Sequence, residues 1–451
     1  MKHASESLRR GIRLRSATLL VIANMVGAGI FTTTGFQAES LGHPGWIFVL
    51  WLTGGILALC GALCYAELGA AMPEAGAEYA YLREAYGPAF GFMSAFVSLI
   101  AGFSAPIASA LKSFVRYLTH FAPGLAGDAV WLGFIRVNDW VAIGLVWLLV
   151  GIHLRGTRYG FRFNDFVTLA KVAGILLIIA GAITFGSGST DHFVTVSESY
   201  DDLGVAGWLG AMATGLIFVM FCYSGWNAAA YVAGEIEAPQ RTLPRALLLG
   251  TGTVTVLYLA LNAVYIYGAG VDDLAGKVEV GLVAARGLFG PAGTSLITAV
   301  LLVSLLAAAS AMTVAGPRVY YALGRDSPAL HRLAAVSSNQ DAPRTALILQ
   351  GLVTSVIILS GRVDQIQQYA GFSITLFSCL AVSSVLILRH RRPDMPRPFR
   401  TWGYPVTPVL FLTVAVWAMI WNVQERPLES MLSLATVAAG GFVYHATKRT
   451  S

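Results

Sequence analysis

Three glycines interrupt the apolar stretch NMVGAGIFTTTGF, residues 24–36. Glycine weakens a helix more than any residue except proline, so the stretch is predicted to break near its middle. The carbonyls that end the first half, near Met25 and Val26, would suit an ammonium group. The N–H groups that begin the second half, from about Ile30 onward, would suit a carboxylate, because a helix N-terminus carries a positive dipole. Together the two ends fit a zwitterion.

A second stretch, FCYSGWNAAA at residues 221–230, also places small residues near the centre of an apolar run, beside the polar Ser224 and Asn227. Both stretches are predicted to be non-helical for a few residues, at 26–29 and at 222–225. Unpaired backbone groups are tolerated in hydrocarbon only where other partners replace the lost ones. Two glycine-interrupted spans at matching positions of inverted halves indicate the substrate site of a transporter. The alternative is that these glycines line close helix–helix contacts.

Lys171, in the run FNDFVTLAKVAGILL, is the one Lys or Arg that lies deep inside an apolar span of the sequence. Asp165 is six residues away, which is about 600° of helical rotation and puts the two side chains on separate faces. Ionisable residues inside a membrane are candidates for function by default. The alternative is a lysine whose long side chain reaches back to the cytoplasmic surface.

Acidic residues form two groups at or beyond the inner ends of apolar runs. Four lie at or after the inner end of the second run: Glu67, Glu74, Glu78 and Glu84. We expect a solvated loop paired with the basic inner face, and the alternative is a metal site. Glu235 and Glu237 are expected to pair with Arg241 or Arg245, either as an inner gate or as a surface network.

The composition describes an all-α polytopic membrane protein. Of the 451 residues, 56% are hydrophobic and 12% are charged, whereas soluble proteins carry about 25% charged residues. Twelve apolar runs are predicted to cross the bilayer, at about 16–38, 46–71, 89–116, 138–154, 163–186, 208–233, 243–268, 284–320, 343–360, 365–388, 404–422 and 428–446. The eighth is expected to bend or to continue into a loop helix. We find no metal-ligand spacing, nucleophile elbow or P-loop, so neither an enzyme nor a cofactor is predicted.

Basic residues collect on one side of this topology. With the N-terminus inside, most Lys and Arg fall on cytoplasmic segments, including Arg9, Arg10 and the run from Arg389 to Arg400. This asymmetry is the positive-inside rule. It predicts a multi-pass protein of the cell membrane with both termini in the cytoplasm, in contact with the lipid bilayer and not with nucleic acid. Residues 1–15 lead straight into a full span, so no cleaved signal peptide is predicted.

Four motifs in order resemble the amino acid–polyamine–organocation (APC) superfamily of transporters: GAGIF, CYAELGAAMPEAGAEYAYLREAYG, FCYSGWN and GEIEAPQRTLPRA. Within it, the L-type amino acid transporter group and its prokaryotic homologues are most similar. The resemblance implies a single transmembrane domain with a LeuT-like, five-plus-five inverted repeat and broken spans 1 and 6. Its parts would be a cytoplasmic N-terminus (1–15), the first repeat (16–186), the second repeat (208–388) and two additional helices (404–446).

The resemblance also implies roles for individual residues. The substrate carboxylate would meet the N–H groups of Ala28 and Gly29, and the ammonium would meet carbonyls around Met25, Phe221 and Ser224. Phe221 would close over the bound substrate. The complete predicted substrate-binding set is Met25, Val26, Gly27, Ala28, Gly29, Ile30, Phe221, Ser224, Gly225, Trp226 and Asn227.

For Lys171 the resemblance implies an amine at the place where sodium binds in sodium-coupled relatives. It would bridge carbonyls near Val26–Gly27 and a span 8 group around Ser310. Eukaryotic members join a glycoprotein heavy chain through a cysteine in the outer loop between spans 3 and 4. Residues 117–137 contain no cysteine, so no disulfide-linked heavy chain is expected.

We therefore expect a secondary active transporter of neutral L-amino acids that works by alternating access, as a sodium-independent exchanger or a proton symporter. The neutral substrate is expected because no intramembrane carboxylate is predicted near the pocket. One alternative is a cationic amino acid or polyamine antiporter of the acid-resistance type. Another is an amino acid-binding membrane receptor without sustained flux.

Overall fold

The computed structural model describes residues 11–73, 76–125, 130–131, 135–155, 157–201, 203–326, 328–334 and 343–449. Arg9, Arg10 and Glu74 therefore lie outside the described residues. The helices of the first half are α1 (Leu14–Met25), α2 (Ala28–Leu41), α3 (Pro44–Ala71), α4 (Glu78–Tyr86), α5 (Pro88–Val97), α6 (Ala105–Leu118), α7 (Val137–His153) and α8 (Thr157–Phe185). A π-helical segment, Ser98–Ser104, joins α5 to α6. Two short antiparallel strands, β1 (Val130–Trp131) and β2 (Ile135–Arg136), precede α7.

The second half is also helical. Its helices are α9 (Glu198–Asp201), α10 (Gly204–Tyr223), α11 (Ala228–Tyr231), α12 (Pro239–Gly268), α13 (Val271–Leu274), α14 (Val280–Asp326), α15 (Arg344–Ser360), α16 (Val363–Arg391), α17 (Val406–Glu425) and α18 (Pro427–Arg449). Within the described ranges, nine helical segments are long and apolar enough to cross a membrane, and α7 and α15 are shorter apolar helices. A polytopic helical membrane protein is thus confirmed, while twelve crossings remain a prediction.

The predicted bend in the eighth run is confirmed at Gly290 of α14. Its φ of 62° and ψ of −167° are not helical, and glycine adopts a positive φ without the steric cost that a Cβ would add. Pro291 follows directly and lacks the N–H that a continuous helix would need. The kink therefore divides α14 into a short first arm and a long apolar second arm.

The first interruption lies where the sequence predicts it. Helix α1 ends at Met25, Val26 and Gly27 leave the helical conformation, and α2 begins at Ala28. The second helix thus starts two residues before the expected Ile30, because Ala28 is a good helix former and Gly27 alone serves as the extended N-cap.

The second interruption differs from the prediction. The sequence predicts a non-helical stretch at residues 222–225, but Ser224 to Asn227 form a 3₁₀-helix between α10 and α11. The backbone tightens its turn there and does not leave the right-handed region, with φ −53° and ψ −25° at Ser224. Bonds of the i→i+3 type keep the N–H groups paired, so this segment exposes fewer free backbone groups than an extended break would.

The expected pairing with the basic run that starts at Arg389 is present for Glu67 and Glu84, but Glu67 and Glu78 are buried and do not lie in a solvated loop. Glu67 is buried and accepts hydrogen bonds from the Arg389 guanidinium at 2.6 and 2.9 Å. Glu78 is buried too. Glu84 does form a surface ion pair, 2.8 Å from Arg392. Glu67 near the end of α3 and Glu78 at the start of α4 therefore bind side chains from distant segments of the chain.

The predicted partners of the second acidic group are also wrong. Glu235 pairs with Arg318 of α14 at 2.9 Å, and Glu237 lies 3.5 Å from Arg13. The backbone carbonyl of Glu235 accepts hydrogen bonds from the N–H groups of Gly11 and Ile12. The chain before α1 therefore runs beside residues 235–237, which brings Arg13 close to Glu237.

Candidate substrate site

The two interruptions touch each other at Gly225. A methyl group placed on this glycine would lie 2.4 Å from the carbonyl carbon of Asn24 and 2.5 Å from the nitrogen of Met25. Such distances are far below van der Waals contact, so only glycine permits this approach of backbone to backbone. The 3₁₀ segment is thereby held against the end of α1.

Gly29 and Gly35 have a different role from Gly27. A methyl group on Gly29 would lie 2.3 Å from the Cys222 sulfur, and one on Gly35 would lie 2.0 Å from the Lys277 carbonyl oxygen. At Gly27 the nearest side-chain atom would be 3.7 Å away, on Ala308. The packing alternative thus describes Gly29 and Gly35, whereas Gly27 caps the break.

A cavity opens beside the contact between the interruptions. Among its lining residues are Asn24 at the end of α1, Ser224, Gly225 and Asn227 of the second interruption, and Ser373 of α16. The buried Ser373 hydroxyl has no hydrogen-bond partner among the described residues. The π-helical segment completes one wall, and π-helices are frequent at functional sites. Three of the predicted site residues therefore share one cavity with an unpaired polar group.

The sequence predicts free carbonyls at the end of α1, but side chains of the protein already bind them. The Tyr258 hydroxyl of α12 donates to the Met25 carbonyl at 2.5 Å and lies 3.1 Å from the Cys222 carbonyl. The Lys171 ammonium donates a hydrogen bond to the Val26 carbonyl. Unpaired carbonyls in a buried break would be costly, so the protein supplies its own donors. Each carbonyl retains a second lone pair for a ligand.

Lys171 is fully buried and points into the protein. Its ammonium donates to the Val26 carbonyl at 2.6 Å and to the Ala23 carbonyl at 3.1 Å. The expected contact with span 1 is therefore present, and the side chain does not reach back to the surface. It ties α8 to the last turn of α1, next to the break.

Ser310 is not placed at Lys171, contrary to the sequence expectation. Its hydroxyl is 2.9 Å from Nε2 of His153 on α7. The residue of α14 that faces Gly27 is Ala308. Ser310 comes two residues later, which is about 200° around the helix. Ser310 therefore points to the opposite side of α14, where α7 packs.

Phe221 and Trp226 lie outside the cavity wall. Phe221 is buried in α10, and a methyl group on Gly371 of α16 would lie 3.3 Å from its Cβ. The Trp226 ring packs edge-on to Tyr65, with centroids 4.5 Å apart, and covers Gly61. Neighbours in a 3₁₀-helix are about 120° apart, which sends Trp226 into the α3 packing while Gly225 and Asn227 face the cavity.

The N-terminal turn of α2 holds Ala28, Gly29 and Ile30, all buried. The first N–H groups of a helix have no intrahelical acceptor, so this turn can receive an anion. One residue that sequence reasoning missed, Gln367, binds the next turn of α2. Gln367 of α16 donates to the Thr32 hydroxyl at 2.9 Å and to Ser109 at 3.0 Å. The row of threonines after GAGIF is the signal that could have indicated a polar contact here.

Glu78 is the main functional candidate that the sequence did not reveal. Its side chain lines the same cavity and accepts hydrogen bonds from Tyr65 at 2.5 Å, Asn227 at 3.0 Å and Tyr231 at 3.1 Å. The expectation that no carboxylate lies near the pocket is therefore wrong. The motif PEAGAEYAYL surrounds this glutamate with small and aromatic residues, and that setting is the signal of burial.

In the described part of the chain, no group of three His, Cys, Asp or Glu residues could hold a metal ion. A family model described as amino acid permease matches residues 12–442. The chain is a member of the amino acid permease family. It belongs with the APC superfamily of membrane transporters, and its family is not one of enzymes.

Relatives cover almost the whole permease. It is 28% identical over 454 residues to a serine/threonine exchanger of Bacillus subtilis (strain 168), covering 100% of this chain and 99% of that protein. It is 25% identical over 441 residues to the b(0,+)-type amino acid transporter 1 of Mus musculus, covering 97% and 88%. It is 26% identical over 441 residues to the large neutral amino acids transporter small subunit 2 of Oryctolagus cuniculus, covering 97% and 80%.

Proposed function

We propose that this permease is a sodium-independent secondary transporter that moves neutral L-amino acids across the cell membrane by alternating access. The observation that carries the proposal is the Lys171 ammonium, bound to the carbonyls of Ala23 and Val26. An ammonium is a cation with three donors. It supplies at the break of span 1 the positive charge that a bound sodium ion would supply, and it needs no ion gradient to do so.

In this proposal the amino acid lies across the contact between the interruptions. Its carboxylate accepts from the N–H groups of Ala28 and Gly29, and its ammonium uses the remaining lone pairs around Met25 and Ser224. Asn227 and the unpaired hydroxyl of Ser373 face the same space. Phe221 moves over the substrate when the site closes, which requires a rotation of the α10 end relative to the arrangement described above.

Neutral substrates are proposed because both Glu78 oxygens already accept hydrogen bonds from the protein. The names of two relatives, a serine/threonine exchanger and a large neutral amino acids transporter, support the same class. A second candidate is a cationic amino acid transporter, and it is favoured by the fact that Glu78 lines the cavity. A positively charged side chain that displaced Tyr231 would find a carboxylate there.

Membrane topology and partners belong to the same proposal. We propose that both termini lie in the cytoplasm, because the basic segments follow the positive-inside rule. The four cysteines are all buried and free, and residues 117–137 contain none, so a subunit joined by a disulfide is not proposed. One relative is named a small subunit, and a non-covalent partner is compatible with that name.

Counterflow in proteoliposomes tests the proposal. Vesicles loaded with unlabelled serine in sodium-free buffer are expected to take up labelled serine, and a panel of external amino acids is expected to compete. Competition by neutral amino acids with none by lysine or arginine supports the proposal. Competition mainly by lysine and arginine selects the second candidate. Saturable binding to the purified protein without flux would identify a receptor and contradict a transporter.

A further inference from the structure

Glu78 is a carboxylate within the transport site that the proposed function leaves without a role. It begins α4, it is 5% exposed, and it lines the cavity together with Asn24 and Gly225. An ionised carboxylate is expensive to bury unless the protein compensates for its lost hydration. Its presence beside the substrate space therefore calls for an explanation beyond packing.

Three neutral donors from two other parts of the chain hold this carboxylate. Oε1 accepts from the Tyr65 hydroxyl of α3 and from the Asn227 amide, and Oε2 accepts from the Tyr231 hydroxyl of α11. The Asn227 amide also lies 3.1 Å from the Tyr231 hydroxyl. We call these four side chains the Glu78 cluster. The hydrogen bonds of the cluster join the second interruption to α3 and α4.

We propose that Glu78 is the proton-binding group of the transport cycle, so that one amino acid and one proton cross the membrane together. This inference rests on the proposed function, since it assigns the coupling ion of the same site. It selects proton symport over an obligatory exchange that moves no proton.

The two protonation states of Glu78 have different hydrogen-bonding capacity. The ionised carboxylate is an acceptor only and satisfies three donors at once. A protonated carboxyl carries its own O–H, so one of its oxygens becomes a donor that opposes a donor of Tyr65, Asn227 or Tyr231. At least one hydrogen bond of the Glu78 cluster must then break or reverse its direction. Because Asn227 belongs to the segment that touches Asn24 through Gly225, this change reaches the substrate site directly.

Burial shifts the pKa of Glu78 upward, toward neutral pH. The titratable groups that face it are phenols: Tyr65 on α3, Tyr231 on α11, Tyr81 on α4 itself and, beyond Tyr231, Tyr320 on α14. Phenols stay protonated below about pH 10. Burial raises the pKa of the Glu78 carboxyl above its ordinary value, although the three hydrogen bonds act in the opposite direction.

Charged side chains on the neighbouring elements have other partners. Arg318 of α14 pairs with Glu235, and Arg389 of α16 pairs with Glu67. On α4 itself, Arg83 lies over the Tyr79 ring and Glu84 pairs with Arg392. The Glu78 cluster is thus built from uncharged donors, and such donors permit the carboxylate to be neutralised without leaving a cation behind.

The proton balance of the cycle is simple. With the site open to the outside and closed inside, a hydronium ion that reaches the cavity gives its proton to the Glu78 carboxylate as the amino acid binds. The hydrogen bonds of the Glu78 cluster weaken and the site opens to the cytoplasm. The carboxyl then releases its proton to water there as the amino acid leaves. No bond other than the O–H is made or broken.

Amino acid accumulation driven by a pH gradient tests the proposal. Proteoliposomes at internal pH 7.5 are diluted into pH 6.0 buffer without sodium, with potassium and valinomycin to hold the membrane potential at zero. One proton per amino acid permits accumulation of at most about thirtyfold for this gradient, since each pH unit contributes a factor of ten. We expect wild-type accumulation of at least fivefold, together with internal acidification reported by a trapped pH dye when amino acid is added.

Glu78→Gln is the test variant and Glu84→Gln is its matched control, because Glu84 lies on the same helix in a surface ion pair. We expect Glu78→Gln to lose accumulation and acidification while slower counterflow remains measurable, and Glu84→Gln to match wild type. Wild-type counterflow without any pH-driven accumulation or acidification would overturn the proton proposal and leave the transport function intact. Accumulation that persists in Glu78→Gln would also overturn it. Absence of counterflow with every amino acid would contradict the proposed function itself. The dye measurement on wild type decides whether a proton crosses together with the amino acid even if the variant does not fold.

Discussion

Gly225→Ala tests whether the contact between the two interruptions builds the site. The added methyl group would lie 2.4 Å from one backbone atom, the Asn24 carbonyl carbon, and 2.6 Å from another, the Asn24 carbonyl oxygen. Neither atom belongs to a flexible side chain, so α1 and the 3₁₀ segment must separate. Inserting a methyl group into a close-packed site costs about 1–3 kcal/mol. That cost corresponds to a factor of roughly 5 to 150 in the population of the packed arrangement, because about 1.4 kcal/mol is tenfold.

The matched control is Gly252→Ala in α12. No atom lies within 4 Å of a methyl group placed at Gly252, so this variant adds the same group to open space. Counterflow of labelled amino acid in proteoliposomes is measured for both variants, together with the melting temperature of each purified protein. We expect Gly225→Ala to lose at least tenfold in counterflow and Gly252→Ala to stay within twofold of wild type. Gly225→Ala with wild-type counterflow and melting temperature would refute the reasoning.

Substitutions at three further residues test other parts of the site by the same counterflow assay. Lys171→Ala leaves the Ala23 and Val26 carbonyls without their donor, so transport is expected to fall strongly while expression stays near normal; normal kinetics from both membrane faces would contradict its role. Tyr258→Phe removes the hydroxyl that binds the Met25 and Cys222 carbonyls, and a loss of about 0.5–1.5 kcal/mol of stability is expected, with a lower melting temperature and a raised KM. Phe221→Ala is expected to impair transport with little change in folding, and Phe221→Tyr to retain more; unchanged uptake by the alanine variant would make Phe221 a packing residue only.

Local chemistry made the first interruption predictable. Gly27 lies inside an apolar run, and glycine at such a place weakens the helix whatever surrounds it. The buried Lys171 was predictable for a similar reason, since its cost in a membrane is a property of the residue itself. Both features depend on a few neighbours in the sequence, and the structure keeps both at the break of span 1.

Features set by long-range packing were not predictable. Glu78 accepts three hydrogen bonds, and their donors are separated from it by 13, 149 and 153 positions in the chain. No local sequence pattern predicts such partners. Ser310 has the right residue type at nearly the right depth, but the rotation of α14 turns it to His153. Trp226 lies between two cavity residues in sequence, and the 3₁₀ geometry sends its ring into the packing with Tyr65.

The sodium dependence of wild-type counterflow tests the central claim most directly. Labelled amino acid exchange is measured in proteoliposomes with sodium on both sides and again with sodium replaced by choline. If the Lys171 ammonium supplies the charge at the break of span 1, the two exchange rates agree within experimental error. Exchange that requires sodium would contradict that role for Lys171 and with it the mechanism proposed for this permease.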